Sequence, residues 1–379
     1  MIRFATLCVF TITLIFTSSV GAQENITHVD RDGMADHQVV VDREAEQYLG
    51  HPTTVLLEDG QTMLCVYPKG HGKGGIVYKR SDDGGLTWSD RLPTPESWNT
   101  SKEVPTLHRV IDDQGKKRLI MFSGLHPTRL AISEDDGQQW SELEKVGDWG
   151  GIVVMSCVFP LKTGPGHYLA MFHDDGRFIE SQPRKDSVRT FTLYQTRSTD
   201  GGLTWGQPQA VHQTQEIHIC EPGVVRSPDG NRLAILLREN SRTQNSQIIF
   251  SDDEGKTWTD PRPLPNPLNG DRHTAVYGPD GRLFISFRKR SPRGKTSQYE
   301  GDWVAWVGTW DDLLNGDDGQ YLVRIKDNQK GYDCAYPGVE ILPDDTIVTT
   351  TYGHWDKDQS PYVLSARLKL SDLDQAAGK

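Results

Sequence analysis

Ser81-Asp82-Asp83-Gly84-Gly85-Leu86-Thr87-Trp88 is the stretch on which the reading of this chain turns. It returns as Ser198-Thr199-Asp200-Gly201-Gly202-Leu203-Thr204-Trp205 and as Ser251-Asp252-Asp253-Glu254-Gly255-Lys256-Thr257-Trp258. A weaker copy is Ser133-Glu134-Asp135-Asp136-Gly137-Gln138-Gln139-Trp140. Each prescribed residue has a reason to be in a turn: Ser and Asp side chains bond to turn backbone, Gly permits positive φ, and Trp folds back onto the strands. The tryptophans lie 52, 65 and 53 residues apart, and another 52 residues lead to Trp310, in a degenerate copy without the Ser-Asp-Gly core. Such periods suit four-stranded propeller blades.

A second repeat lies upstream of each box: a strand, a turn usually centred on Asp-Gly, and an apolar returning strand. Six copies start near His51-Pro52, Glu103-Val104-Pro105, Ser156-Cys157, Glu221-Pro222, Arg272-His273 and Tyr336-Pro337. Their turns fall at Asp59-Gly60, Asp112-Asp113, Gly164-Pro165-Gly166, Asp229-Gly230, Asp280-Gly281 and Asp344-Asp345. Six copies predict an all-β fold, a single six-bladed β-propeller of four-stranded blades over residues 23–379. The last blade needs a strand from elsewhere, and His37-Gln38-Val39-Val40-Val41-Asp42 can supply it and close the ring.

Composition agrees. The 379 residues are 35% hydrophobic and 25% charged, enough apolar material for a packed core, and 37 Gly with 21 Pro favour many short strands over a helical bundle. A net charge of −11 argues against nucleic-acid binding. Residues 1–22 pass from Arg3 through an apolar stretch to Val20-Gly21-Ala22, the pattern of a cleavable export signal, and no second apolar run is long enough to cross a bilayer. A secreted or periplasmic monomer without a membrane anchor is expected. Cys65, Cys157, Cys220 and Cys334 are widely spaced and read as buried free thiols. The histidines form no compact ligand pattern, so neither metal nor cofactor is expected.

Aligning the six copies on their turns puts His51, Glu221, Arg272 and Tyr336 eight residues before the turn aspartate, with Ser156 and Glu103 or Val104 near the same place. Equivalent positions form a ring at the mouth of the channel, and these residue types suit a polar ligand. The returning strands end in a second ring that contains Pro68, His173, Arg238, Arg288 and Tyr352.

The box is the Asp-box, or BNR repeat, and the chain resembles the sialidase (neuraminidase) superfamily, six-bladed propellers in which the boxes are peripheral and structural. The resemblance implies an exo-α-sialidase type of glycosidase with a tyrosine nucleophile, a glutamate that activates it, an aspartate acid/base and three arginines for the substrate carboxylate. Tyr336 in Cys334-Ala335-Tyr336-Pro337 resembles the nucleophile, Glu221 in Glu221-Pro222-Gly223-Val224-Val225 its partner, and Arg238 one clamp arginine. Gly50-His51-Pro52 stands where the first clamp arginine is expected, so that arginine is absent, and Arg272 and Arg288 are candidate substitutes. The loop for the acid/base reads Pro68-Lys69-Gly70-His71-Gly72-Lys73-Gly74-Gly75 and holds no carboxylate, which leaves His71 as the candidate acid. His51 and His173 complete the candidate substrate-binding set. An acidic glycan or oligosaccharide is the expected substrate. Two other readings stay open: a lyase acting on uronate-containing polysaccharide, and a propeller that binds carbohydrate or protein without catalysis.

Overall fold

The computed structural model describes residues 26–181 and 189–379, so the expected export signal lies outside the described residues. Six sheets follow one another along the chain. Blade one is Thr53–Leu56, Met63–Pro68 and Ile76–Ser81; blade two is Pro105–Ile111, Lys117–Ser123, Arg129–Ser133 and Glu144–Lys145. Blade three is Ile152–Pro160, Tyr168–Asp174, Thr192–Ser198 and Gln209–Gln213; blade four is Ile219–Arg226, Leu233–Glu239, Gln247–Ser251 and Arg262–Pro263. Blade five runs Gly270–Tyr277, Leu283–Lys289, Trp303–Gly308 and Tyr321–Lys326, and blade six Gly338–Ile341, Ile347–Gly353 and Tyr362–Leu368. The first strands touch in cyclic order, blade six against blade one, so they line a central channel.

Closure uses the amino-terminal segment twice. Gln38–Asp42 pairs antiparallel with Tyr362–Leu368 as the outer strand of blade six, which matches the expected closing strand. Thr27–Asp30 adds a fifth, parallel strand to blade five, beside Tyr321–Lys326, which the repeat pattern does not announce. Blade one departs from four strands for a local reason. Ser89 N–H donates to Arg80 O (2.8 Å) and Leu92 N–H to Tyr78 O (2.9 Å), so the chain starts a fourth strand. Pro93 and Pro95 then follow, and neither has an N–H to continue the ladder.

The boxes join the third and fourth strands of blades one to four. In each, the serine hydroxyl accepts from the glycine N–H four residues on, as Ser81 Oγ does from Gly85 at 2.8 Å. The aspartate accepts from the backbone of the residue before Trp, as Asp83 does from Thr87 at 2.9 Å. Trp310 obeys another rule: it opens a short helix, Trp310–Asn315, capped by Thr309 and Asp312, because a Thr-x-x-Asp capping box replaces the missing Ser-Asp-Gly chemistry. First and third strands run the same way, so the boxes lie on the side of the ring away from the starts of the first strands. Each also reaches back to the preceding blade: Tyr78 Oη donates to Gly137 O at 2.9 Å, and Arg197 Nη2 to Glu254 O at 2.9 Å.

Trp205 shows what a box anchor contributes. Its ring is buried against Val110, Ile120 and Phe122 of blade two, edge-on to Phe122 at 5.7 Å, and its Nε1 donates to Gly202 O at 2.9 Å. Trp205→Ala is expected to cost about 3 kcal/mol, the low end for a buried tryptophan because this ring lies at the rim of the core. Chemical denaturation reads the loss, and the folded variant should keep full activity.

Candidate active site

The mouth of the channel is built by a repeated irregularity. His51, Val153, Glu221, Arg272 and Ala335 all have positive φ, between 51° and 56°, at the start of the first strand of five blades. A non-glycine residue in that region costs roughly 1–2 kcal/mol. In blades four and five the ladder skips there, from Cys220 to Gly223 and from Asp271 to Thr274, so one residue is turned out of the pleat and its side chain is re-aimed. Pro52, Pro222 and Pro337 follow three of the site residues and need no ladder donor. Gly223 and Gly338 come next because the neighbouring blade is too close for a Cβ, which would lie 2.1 Å from His273 O and from Thr54 Oγ1 respectively.

These bulges bring Tyr336 and Glu221 together across the channel. Tyr336 Oη donates a short hydrogen bond to Glu221 Oε1, which also accepts from Arg238 Nη1 at 2.7 Å. Burial alone would raise the Glu221 carboxyl, but Arg238, the hydrogen bond from Tyr336 and His173 together hold the group below its ordinary value. Burial and the Glu221 charge push the Tyr336 phenol well above its ordinary value. The pair is therefore a neutral phenol on a carboxylate. Among the described residues, the second Glu221 oxygen is buried without a partner.

The arginines divide into two groups. Asp271, wholly buried, accepts from both nitrogens of Arg242 (2.5 and 2.7 Å) and from Arg288 Nε and Nη2 (2.9 and 2.6 Å), with Arg238 Nε at 3.5 Å. Burial would raise this carboxyl, but Arg238, Arg288 and Arg242 hold it well below its ordinary value. The remaining Arg288 nitrogen donates to Tyr332 O and Cys334 O, so Arg288, expected at the substrate, is engaged as a prop behind the segment that leads to Tyr336. Arg272 is the opposite case. It is only 6% exposed, its guanidinium stands 5.8 Å from the Tyr336 ring centre, and among the described residues it has neither hydrogen bond nor ion pair. It roofs a channel cavity of about 190 Å³ that Ser156, His108 and Glu340 also line.

Histidines and phenols form the opposite wall. The His51 ring packs 4.4 Å from Tyr336 and 4.5 Å from Tyr352, and its Nε2 lies 3.2 Å from Tyr352 Oη. Burial, then His71, hold His51 well below its ordinary value, so it is neutral. His71 stands 4.8 Å beyond His51 at the rim, 65% exposed, tied by Nδ1 to Tyr48 Oη (2.7 Å) and Asp333 Oδ1 (3.3 Å). His173 falls elsewhere than expected: it is buried beside Phe191, accepts the Glu221 N–H at 3.4 Å, and supports the backbone of Glu221. Glu103 sits behind the wall, bonded by Val153 N–H, and burial pushes its carboxyl up to about 8.

The structure thus gathers Tyr336, Glu221, Arg238, Arg272, His51 and His71, with Arg288 and His173 behind them. Sequence reasoning missed Asp271, Arg242, Asp333 and Tyr48. Two signals were available: Asp271 adjoins the register position Arg272, and Asp333 lies three residues before Tyr336. The four cysteines among the described residues, Cys65, Cys157, Cys220 and Cys334, are free and buried.

A six-bladed ring with peripheral boxes and a buried Tyr–Glu pair under its mouth defines a propeller of the sialidase superfamily. The model of the BNR repeat-like domain family matches residues 113–337, more than half of the chain, and the chain belongs to that family. The anhydrosialidase of Macrobdella decora is 26% identical over 251 residues, 61% of this chain and 30% of the relative. The sialidase of Micromonospora viridifaciens is 25% identical over 253 residues, 60% of this chain and 35% of the relative. The match thus spans about a third of the length of these relatives. Among solved structures, a Dyadobacter fermentans protein of unknown function has a TM-score of 0.65 at 16% identity, covering 88% of this chain and 98% of that one. The intramolecular trans-sialidase of Ruminococcus gnavus, solved with oseltamivir carboxylate, has a TM-score of 0.58 at 15% identity, covering 86% and 95%. These structures share the fold.

Proposed function

We propose that the protein is an exported glycosidase of exo-α-sialidase type that removes a terminal acidic sugar from a glycan with retention of configuration. The observation that carries this reading is the Tyr336 phenol donating to the Glu221 carboxylate. As the phenol oxygen bonds to the anomeric carbon, its proton passes to Glu221, and a neutral phenol meets an acidic sugar without the repulsion an anion would face. The sugar carboxylate goes to Arg272, a buried cation with no hydrogen bond or ion pair among the described residues, with Arg238 alongside. Asp271 already closes the Arg242 and Arg288 side, so the carboxylate is held on the blade-five wall rather than in a three-arginine clamp.

Screening the purified protein on sialosides and on uronate-containing oligosaccharides tests this, with proton NMR of the first-formed product. A released sugar of retained configuration supports it. An unsaturated uronate would establish the lyase instead, and no turnover on either class would favour a binding propeller. Arg272→Gln keeps hydrogen-bonding ability but loses the charge. It is expected to raise KM for the acidic glycoside roughly 10- to 100-fold, as for loss of a hydrogen bond to a charged group, with little change in melting temperature. An unchanged KM would remove Arg272 from the site.

A further inference from the structure

Asp333 was not singled out by any repeat, yet it is the hub of the mouth. Its Oδ1 accepts from Tyr48 Oη at 2.7 Å and Tyr352 Oη at 3.1 Å and faces His71 Nδ1 at 3.3 Å, while Oδ2 faces His354 Nε2 at 3.1 Å. Burial would raise this carboxyl, but hydrogen bonds from His71, Tyr48 and His354 outweigh it and keep the group ionised. An ionised carboxylate only accepts, and a phenol has one proton, so both tyrosines give theirs to Asp333. The imidazole nitrogens that face the same phenol oxygens must then carry protons of their own. His71 donates from Nδ1 to Tyr48 Oη, and His51 from Nε2 to Tyr352 Oη.

The two histidines now differ in one decisive way. His51 Nδ1 accepts from Gly72 N–H at 3.2 Å, so both its nitrogens are occupied within the wall. His71 Nε2 has no partner among the described residues, and its ring stands at the open rim. The loop that carries His71 is pinned by that same Gly72 bond and by Lys69 N–H to Gly75 O at 3.0 Å. A groove of about 600 Å³ opens beside Tyr48 and His354, two of the partners of Asp333, and continues over Gln329, Lys330 and Lys357.

We propose that His71 Nε2 is the acid and base of the proposed glycosidase reaction, and that Asp333, through its contact with Nδ1 and through Tyr48, is the residue that positions it. The inference rests on the glycosidase reading above. In the first half-reaction, Tyr336 Oη bonds to the anomeric carbon as the bond from that carbon to the leaving oxygen breaks. The leaving oxygen keeps the electron pair and takes the Nε2 proton of the His71 imidazolium, whose Nδ1–H stays on Tyr48 and Asp333, and the phenol proton goes to Glu221. In the second, neutral His71 Nε2 takes a proton from water as the water oxygen bonds to the anomeric carbon. The bond to Tyr336 breaks, and Glu221 returns the proton to the phenol oxygen.

The test compares a leaving group that needs protonation with one that does not. The probes are the methyl and 4-methylumbelliferyl α-glycosides of N-acetylneuraminic acid and of D-glucuronic acid, with the wild type, Tyr336→Phe, His71→Ala, Asp333→Asn and Tyr48→Phe. His71→Ala is expected to lower kcat/KM on the methyl glycoside by about 100-fold or more and on the activated glycoside by less than about 10-fold. Asp333→Asn and Tyr48→Phe should show the same selective loss in smaller measure, which a merely structural role would not produce. If Asp333→Asn fails to fold, Tyr48→Phe, which keeps the ring, carries the comparison. Equal losses on both glycosides, or no loss on either, in variants that fold would overturn the proposal while a dead Tyr336→Phe leaves the glycosidase reading intact. A wild type inactive on all four probes, or a Tyr336→Phe variant as active as the wild type, overturns both.

Discussion

Tyr336→Phe is expected to lower turnover by about a thousandfold or more without unfolding the protein, and Glu221→Gln to do nearly the same. The phenylalanine ring fills the same space against His51, and Tyr336 N–H keeps its bond to Thr351 Oγ1 at 2.7 Å, so the strand start stays in place. Only the oxygen that attacks is gone. Glu221→Gln can still accept from Tyr336 and Arg238 but can no longer take the phenol proton. The two groups act as one unit, so the double variant should be little worse than the worse single one. Steady-state rates on the substrate found by screening, with melting temperatures as a control, decide the matter. Near-wild-type turnover by either single variant would end the tyrosine mechanism.

Asp271→Asn is expected to destabilise the fold by about 3–5 kcal/mol, the range for removing one partner of a buried ionic cluster. Arg238, Arg242 and Arg288 converge on this one wholly buried carboxylate, and without it, among the described residues, Glu221 remains as the ion-pair partner of Arg238 alone. The pH dependence has a definite sign. A carboxyl whose folded value lies far below its unfolded value contributes fully above the unfolded value near 3.9, and the contribution is lost as pH falls through the folded one. Urea denaturation should therefore show a constant gap between wild type and variant from pH 5 to 8 that narrows in acid below pH 4. A variant as stable as the wild type at neutral pH would show that Asp271 does not hold the cluster. The variant also reports on specificity, because it frees Arg288 and Arg242 to meet a substrate carboxylate.

The architecture and the reacting pair were legible in the sequence because they repeat. Box and turn residues recur at nearly constant intervals, and the side chain eight residues before a turn reaches the channel mouth in blades one, four, five and six, so the register brings Glu221 and Tyr336 together although 115 residues separate them. Local turn chemistry determines those features, and local chemistry is written in adjacent residues. Pairing across blades is not. Arg272 and Arg288 are one residue type in one blade, yet Asp271 neutralises Arg288 while Arg272 has no ion pair among the described residues, a difference set by the bulge that turns Arg272 into the channel. Asp333 and Tyr48 lie outside both repeats and meet His71 only where the segments before blades one and six converge. The sequence by itself determined the six blades, their closure and the depth of the Tyr–Glu pair. Which charges are already satisfied and which face open space was decided by the tertiary structure, because Coulombic and hydrogen-bond partners are chosen by distance in space rather than by spacing along the chain.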